Sequence, residues 1–110
     1  MNNDYETVLR TPDLGPGTIA EVRAHGRDLA LANVRQTYYA LTARCPADGT
    51  NLARDGRLVD DRIVCPNDHS AYDVRTGDRT DRQGRGLERY DVRIADNEIR
   101  VGPAVTGATR

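Results

Sequence analysis

Apolar and polar residues alternate along most of this 110-residue chain, and a helical apolar period is nearly absent. Successive side chains of a strand point to opposite faces, so a period of two predicts half-buried β-strands. Thr18-Ile19-Ala20-Glu21-Val22-Arg23 alternates in this way. Ala24-His25-Gly26-Arg27 reads as a tight turn, with Gly26 free to take a positive φ. Asp28 to Val34 forms a second strand and Thr37 to Thr42 a third, rich in β-forming residues, so the three predict a meander. Near the other end, Arg89-Tyr90-Asp91-Val92-Arg93-Ile94 alternates, Asp96-Asn97 turns, and Glu98-Ile99-Arg100-Val101 returns as a closing hairpin strand.

Between these blocks the texture changes. Arg57-Leu58-Val59 and Arg62-Ile63-Val64 are very short strands around Asp60-Asp61, and Ala71-Tyr72-Asp73-Val74 is another, closed by a turn over Arg75 to Asp78. Arg79 to Gly86 is polar and contains glycine, which predicts an exposed loop, mobile unless something clamps it. Its arginines read as solvated surface. Asp4 to Arg10 is the most helical-looking stretch but is too short to stand alone. The expectation is a single all-β domain over residues 1–110, with an inserted unit at 45–79 and terminal segments at 1–10 and 102–110, the latter frayed.

Composition narrows the function classes. Sixteen basic residues, every one Arg, stand against seventeen acidic ones, so no bulk charge draws the chain to nucleic acid or to an anionic membrane. No apolar run reaches the roughly 18 residues of a bilayer span. The segment Met1 to Glu6 has neither a basic region nor an apolar stretch, so it does not read as a secretory signal and the expected compartment is the cytoplasm. There is no Phe or Trp, so aliphatic side chains must fill most of the core. No phosphate-binding glycine loop and no nucleophile elbow occur. Catalysis by this chain alone is not expected, and thiol chemistry at Cys45 or Cys65 is the one enzymatic option.

Those cysteines stand in similar loops, Cys45-Pro46-Ala47-Asp48-Gly49 and Cys65-Pro66-Asn67-Asp68-His69, both reading Cys-Pro-x-Asp. Pro after Cys fixes φ and favours a tight loop. The hairpin between Arg57 and Val64 would bring the two sulfurs side by side, as small β domains present thiolates to iron or zinc.

Around these loops run Tyr39-Ala40-Leu41-Thr42-Ala43-Arg44-Cys45-Pro46, then Gly56 to Pro66, then Ser70-Ala71-Tyr72-Asp73-Val74-Arg75-Thr76-Gly77. In order, spacing and strand pattern, from about Gly17 to Val101, the chain resembles a Rieske-type ferredoxin. The resemblance implies an antiparallel β-sandwich carrying a small rubredoxin-like metal-binding subdomain, here residues 45–79. It implies a [2Fe–2S] cluster, single-electron transfer, and a redox partner protein such as a reductase, an oxygenase or another oxidoreductase subunit. Cys45 and Cys65 fall on the family's cysteine ligand positions. Its histidines do not carry over: the family's Cys-x-His has Ala47 in this chain, and its Cys-x-x-His has Asp68, with His69 one residue later.

Three readings stand side by side. Cys45 and Cys65 could hold an unorthodox cluster or a single metal with two of Asp48, Asp68 and His69; carboxylate in place of imidazole makes such a site more negative and lowers a cluster's potential. The scaffold could be a metal-free binding or regulatory subunit, as in family members that lack ligands and serve as small subunits, for instance beside nitrite reductase. Or the two thiols could form a redox disulfide. Elsewhere, His25 reads as a solvated turn residue, Asp48 as an acceptor of backbone N–H groups, and Tyr72 as a core residue whose hydroxyl finds a polar partner. Of Tyr38 and Tyr39, one is expected in the core and one outside.

Overall fold

The computed structural model describes residues 4–67 and 69–105. Asp68 and residues 106–110 therefore lie outside the described residues, as do residues 1–3. Nine strands form two sheets. The larger has six antiparallel strands in the order β1 (Glu6–Arg10), β9 (Glu98–Val105), β8 (Arg89–Ala95), β4 (Thr37–Thr42), β3 (Arg27–Val34), β2 (Thr18–Ala24). The smaller joins β5 (Arg57–Val59), β6 (Arg62–Val64) and β7 (Ala71–Asp73). Among the described residues a 3-10 turn over Thr11–Asp13 follows β1, and a short α-helix, α1 (Leu52–Asp55), leads into the smaller sheet.

The tight turns follow from local chemistry. His25-Gly26 and Asp96-Asn97 both have positive φ at the two central positions, the geometry whose twist matches that of the flanking strands. Arg35-Gln36 adopts the same form, with φ of 51° and 72°. Neither residue favours it, and the buried Asn33 supports the turn: its Oδ1 accepts the Gln36 N–H at 2.8 Å while its Nδ2 donates to the Leu14 carbonyl at 2.8 Å.

The six-stranded sheet curls until its edges meet. The Glu6 carboxylate accepts the His25 backbone N–H at 3.1 Å, and His25 Nε2 lies 3.0 Å from the Val101 carbonyl oxygen. His25 is the exposed turn residue its position predicts, and it also ties the β2 end to β9. Inside the curl, Leu29, Leu31, Val22, Ala40, Tyr90, Ile99 and Val101 form one core. The outer face of β3 and β4 is buried too. There Ala30, Ala32, Val34 and Leu41 pack against Leu52, Ile63, Tyr72, Val74, Leu87 and both cysteines. β3 therefore has apolar neighbours on both faces, and its run Leu29–Val34 is buried throughout. Each fully buried leucine or isoleucine contributes about 1.5–3 kcal/mol.

This arrangement is the all-β, Rieske-type architecture that the alternation and the resemblance predict, with the small sheet laid on the outer face of β3–β4. Three local expectations change. Residues 6–10, expected as part of a terminal segment, form an edge strand, because β9 supplies backbone partners from Glu6↔Val101 to Arg10↔Glu98. Residues 102–105 are not frayed: β9 continues through Val105, paired with Arg89. Tyr38 and Tyr39 are both half-buried on opposite faces of β4, one against each core.

Candidate metal centre

The two cysteine loops are built alike. Cys45 N–H donates to the Thr50 carbonyl at 2.8 Å and Gly49 N–H returns to the Cys45 carbonyl at 2.8 Å. Cys65 N–H donates to the Ser70 carbonyl at 2.8 Å and His69 N–H returns to the Cys65 carbonyl at 3.0 Å. Each loop closes on a left-handed residue four places after its cysteine, Gly49 at φ 79° and His69 at φ 64°. Asn67 Nδ2 donates to Thr50 Oγ1 at 2.8 Å and fastens one tip to the other.

The loops converge. A ligand atom from each of Cys45, Asp48 and Cys65 lies within 4.8 Å of the other two. Both cysteines are buried and neither is in a disulfide. The Cys65 thiol lies 3.7 and 3.8 Å from the two Asp48 oxygens. Asp48 accepts the Thr50 N–H at 3.0 Å, which is the Asx turn its sequence position predicts. Hydrogen bonds from the Thr50 hydroxyl and backbone, with help from Asn67 and Cys45, hold its carboxyl down to about 2, so it is a carboxylate at neutral pH.

On the inner side, the Tyr72 hydroxyl stands 3.5 Å from Cys45 Sγ. Burial, followed by the contact with Cys45, pushes the phenol up to about 12, so it remains protonated and able to donate. Behind it, Arg79 lies over the Tyr72 ring at 5.9 Å and donates from Nη2 to Ser70 Oγ at 2.8 Å. Arg79 was expected at the solvated surface with its neighbours. Its side chain is only 10% exposed and is held by Asp81 at 2.9 Å. A run of arginines in a polar loop gives no signal that singles out this one, and nothing in the sequence marks Asn67 as the tie between the tips.

Of the site residues expected from sequence, Cys45, Cys65 and Asp48 are brought together. His69 is exposed and absent from the group; it closes the loop through its backbone bond to Cys65. Asp68 is not among the described residues. Beside Cys45 runs an open groove of about 640 Å³, lined in part by Arg27, Arg44, Arg85, Leu87 and Glu88.

The curled six-stranded sheet, the three-stranded insert and two converging Cys-Pro loops define the Rieske-type ferredoxin class. The chain matches the Rieske-like [2Fe–2S] domain family over residues 4–102 and belongs to that family. Its fold is similar to a chain in the complex of reduced oxygenase and oxidized ferredoxin in carbazole 1,9a-dioxygenase, with 28% identity, a TM-score of 0.87, and coverage of 96% of this chain and 100% of that one. The ferredoxin of carbazole 1,9a-dioxygenase from Nocardioides aromaticivorans is 25% identical at a TM-score of 0.85, over 92% of this chain and 99% of that one. The Sphingomonas yanoikuyae B1 ferredoxin shares the fold at 21% identity and a TM-score of 0.80, over 88% and 96% of the two chains. No curated protein sequence matches the chain. No helix among the described residues is long and apolar enough to cross a membrane.

Proposed function

We propose that this chain is a Rieske ferredoxin-like electron-transfer or accessory component of an oxygenase or other oxidoreductase system, in which the two-cysteine, two-histidine [2Fe–2S] site is degenerate. The observation that carries the reading is the donor set at the loop tips. Two sulfurs and the Asp48 carboxylate converge there, with no described histidine among them. A Rieske cluster takes two thiolates on one iron and two imidazoles on the other. Ala47 has no donor atom, and His69 is exposed and not part of the group. The residues present do not fit that cluster. The partner assignment draws on the likeness to a chain of the carbazole dioxygenase complex. The groove beside Cys45 offers both signs of charge to a partner, with Arg27, Arg44 and Arg85 set among Asp78 and Glu88.

Anaerobic purification tests the reading. A colourless product without stoichiometric iron and acid-labile sulfide assigns the chain the accessory role and removes the carrier role, whereas bound iron and sulfide with a spectrum unlike that of a two-histidine Rieske centre supports the carrier. Two irons and two sulfides per chain with the visible absorbance of a two-histidine centre would overturn the reading.

A second reading is favoured by the closeness of the two buried thiols: a metal-free binding or regulatory subunit with a Cys45–Cys65 redox pair. Disulfide closure would release two thiol protons and pass two electrons to an oxidant such as dioxygen or glutathione disulfide. It would bring the sulfurs to about 2.05 Å. Air-oxidised protein would then gain the mass of two hydrogen atoms on reduction, and an unchanged mass dismisses the pair.

A further inference from the structure

The loops that do not suit a Rieske cluster have a donor arrangement of their own. Tetrahedral zinc with sulfur at about 2.3 Å and carboxylate oxygen at about 2.0–2.2 Å requires edges of about 3.5–3.8 Å between its ligand atoms. The Cys65 Sγ to Asp48 separations of 3.7 and 3.8 Å fall at the upper end of that range, and all three donor atoms lie within 4.8 Å of one another. Small side-chain rotations bring them onto one ion. Both sulfurs are buried, and Asp48 is more exposed and closes the outer side. We infer that Cys45, Cys65 and Asp48 form a mononuclear site for a tetrahedral, thiophilic divalent ion of the zinc type, with an external ligand such as water at the fourth vertex.

The surroundings support the ion as well as the ligands. Tyr72 reaches Cys45 Sγ with a hydroxyl that donates to a metal-bound thiolate as readily as to a thiol. The Asn67–Thr50 bond fixes the span between the two loops before any ion arrives. Asp48 is oriented by the Thr50 N–H on Oδ1, and its Oδ2 lies 3.7 Å from Cys65 Sγ. Zinc has no redox chemistry of its own, so such a site staples the two loops and gives the partner-facing tip a fixed shape. The inference rests on the degenerate-cluster reading, since one pair of thiolates cannot serve both centres.

The test uses the full chain, purified with reductant and without oxygen, and Co²⁺ as the optical probe. One equivalent of Co²⁺ is expected to give intense tetrahedral d–d bands with near-ultraviolet thiolate charge transfer, and one equivalent of Zn²⁺ is expected to bleach them. D48N keeps an oxygen for the Thr50 N–H but loses the anionic donor. It is expected to bind at least about tenfold more weakly, about 1.4 kcal/mol, with the metal-free fold unchanged by circular dichroism. C65S is expected to abolish the charge-transfer bands, and H69G to leave affinity unchanged. A wild-type chain that binds no Co²⁺ overturns the inference and leaves the degenerate-cluster reading standing. So does D48N affinity equal to wild type, or a marked loss in H69G. A purified chain carrying two irons and two sulfides overturns both.

Discussion

Gly49 and His69 close equivalent loops with the same left-handed backbone, at φ 79° and 64°, each returning its N–H to the cysteine four residues before it. Glycine occupies that conformation without a steric penalty, whereas a residue with a Cβ loses roughly 1–2 kcal/mol there. Replacing His69 by Gly relieves that strain but adds about 0.4–1 kcal/mol of unfolded-chain entropy. The H69G variant is therefore expected to be more stable by about 0.5–1 kcal/mol, read as a higher denaturant midpoint at unchanged slope. A variant less stable than wild type would mean that the imidazole makes contacts which outweigh its backbone strain.

The parts of this fold legible in the sequence are those fixed by near neighbours. Asp60 and Asp96-Asn97 turn between strands because these residues tolerate left-handed backbone, and Arg89–Ile94 forms the strand its alternation predicts, although a register shift at Tyr90/Val92 leaves Ile94 exposed. The parts that escaped are fixed by distant partners. Residues 6–10 become a strand only because β9 lies alongside, some ninety positions later in the chain. The short helix α1 has local signals too brief to stand out in a four-residue turn: Asn51 accepts the N–H groups of Ala53 and Arg54 as an N-cap, and Gly56 ends the turn. At the site, the similar Cys-Pro loops and their convergence could be read from the pattern. That Asp48 joins the two sulfurs while His69 does not could not be read, since both residues stand in the same Cys-Pro loops and nothing in the spacing says which side chain reaches the sulfurs.

Asp81 anchors Arg79, and through it the packing behind Cys45. Its carboxylate accepts from Arg79 Nε at 2.9 Å and from the Ala71 N–H at 3.2 Å. Those bonds, the Arg79 contact first, hold its carboxyl well below the usual carboxylate range. A folded-state value below the unfolded one means that the unfolded chain binds more protons as pH falls. The stabilisation is thus complete above about pH 4 and is lost as pH drops further toward the folded-state value. D81N is expected to be less stable than wild type at neutral pH, with the gap narrowing below about pH 4. Denaturation curves at pH 7 and pH 3 check this, and a constant gap would assign the loss to packing and not to charge.

Gly77 clamps the base of the loop that carries Arg79. It has φ 85°, its carbonyl accepts the Leu87 N–H at 2.7 Å, and a Cβ built on it would stand 2.1 Å from the Leu87 carbonyl oxygen. Backbone cannot yield there without opening the join between the loop and β4, where Thr42 N–H donates to the Glu88 carbonyl at 2.9 Å. G77A is expected to lose about 3 kcal/mol or more, read by thermal or urea unfolding. Limited proteolysis should then cut within residues 79–86 sooner than in wild type. A G77A chain of wild-type stability would show that the loop is not fastened at this point.

The loops retain enough of the ferredoxin arrangement to make the missing donors restorable. On the proposed reading Ala47 and Asp68 take the places of the family's histidines, and the two thiols lie within 4.8 Å of each other on loops with matched hydrogen bonds. Combining A47H, D68H and H69G supplies two imidazoles and removes the strained closing residue. Reconstitution with iron and sulfide under anaerobic conditions is then expected to yield two irons and two sulfides per chain, with visible absorbance absent from wild type treated in the same way. Two thiolates on one iron and two neutral imidazoles on the other also give a higher potential than an all-thiolate cluster, so mild reductants should bleach it. Should the triple variant stay colourless while folded, the spacing of the two tips has moved away from what a cluster needs, and loss of donors alone would not explain the degenerate site.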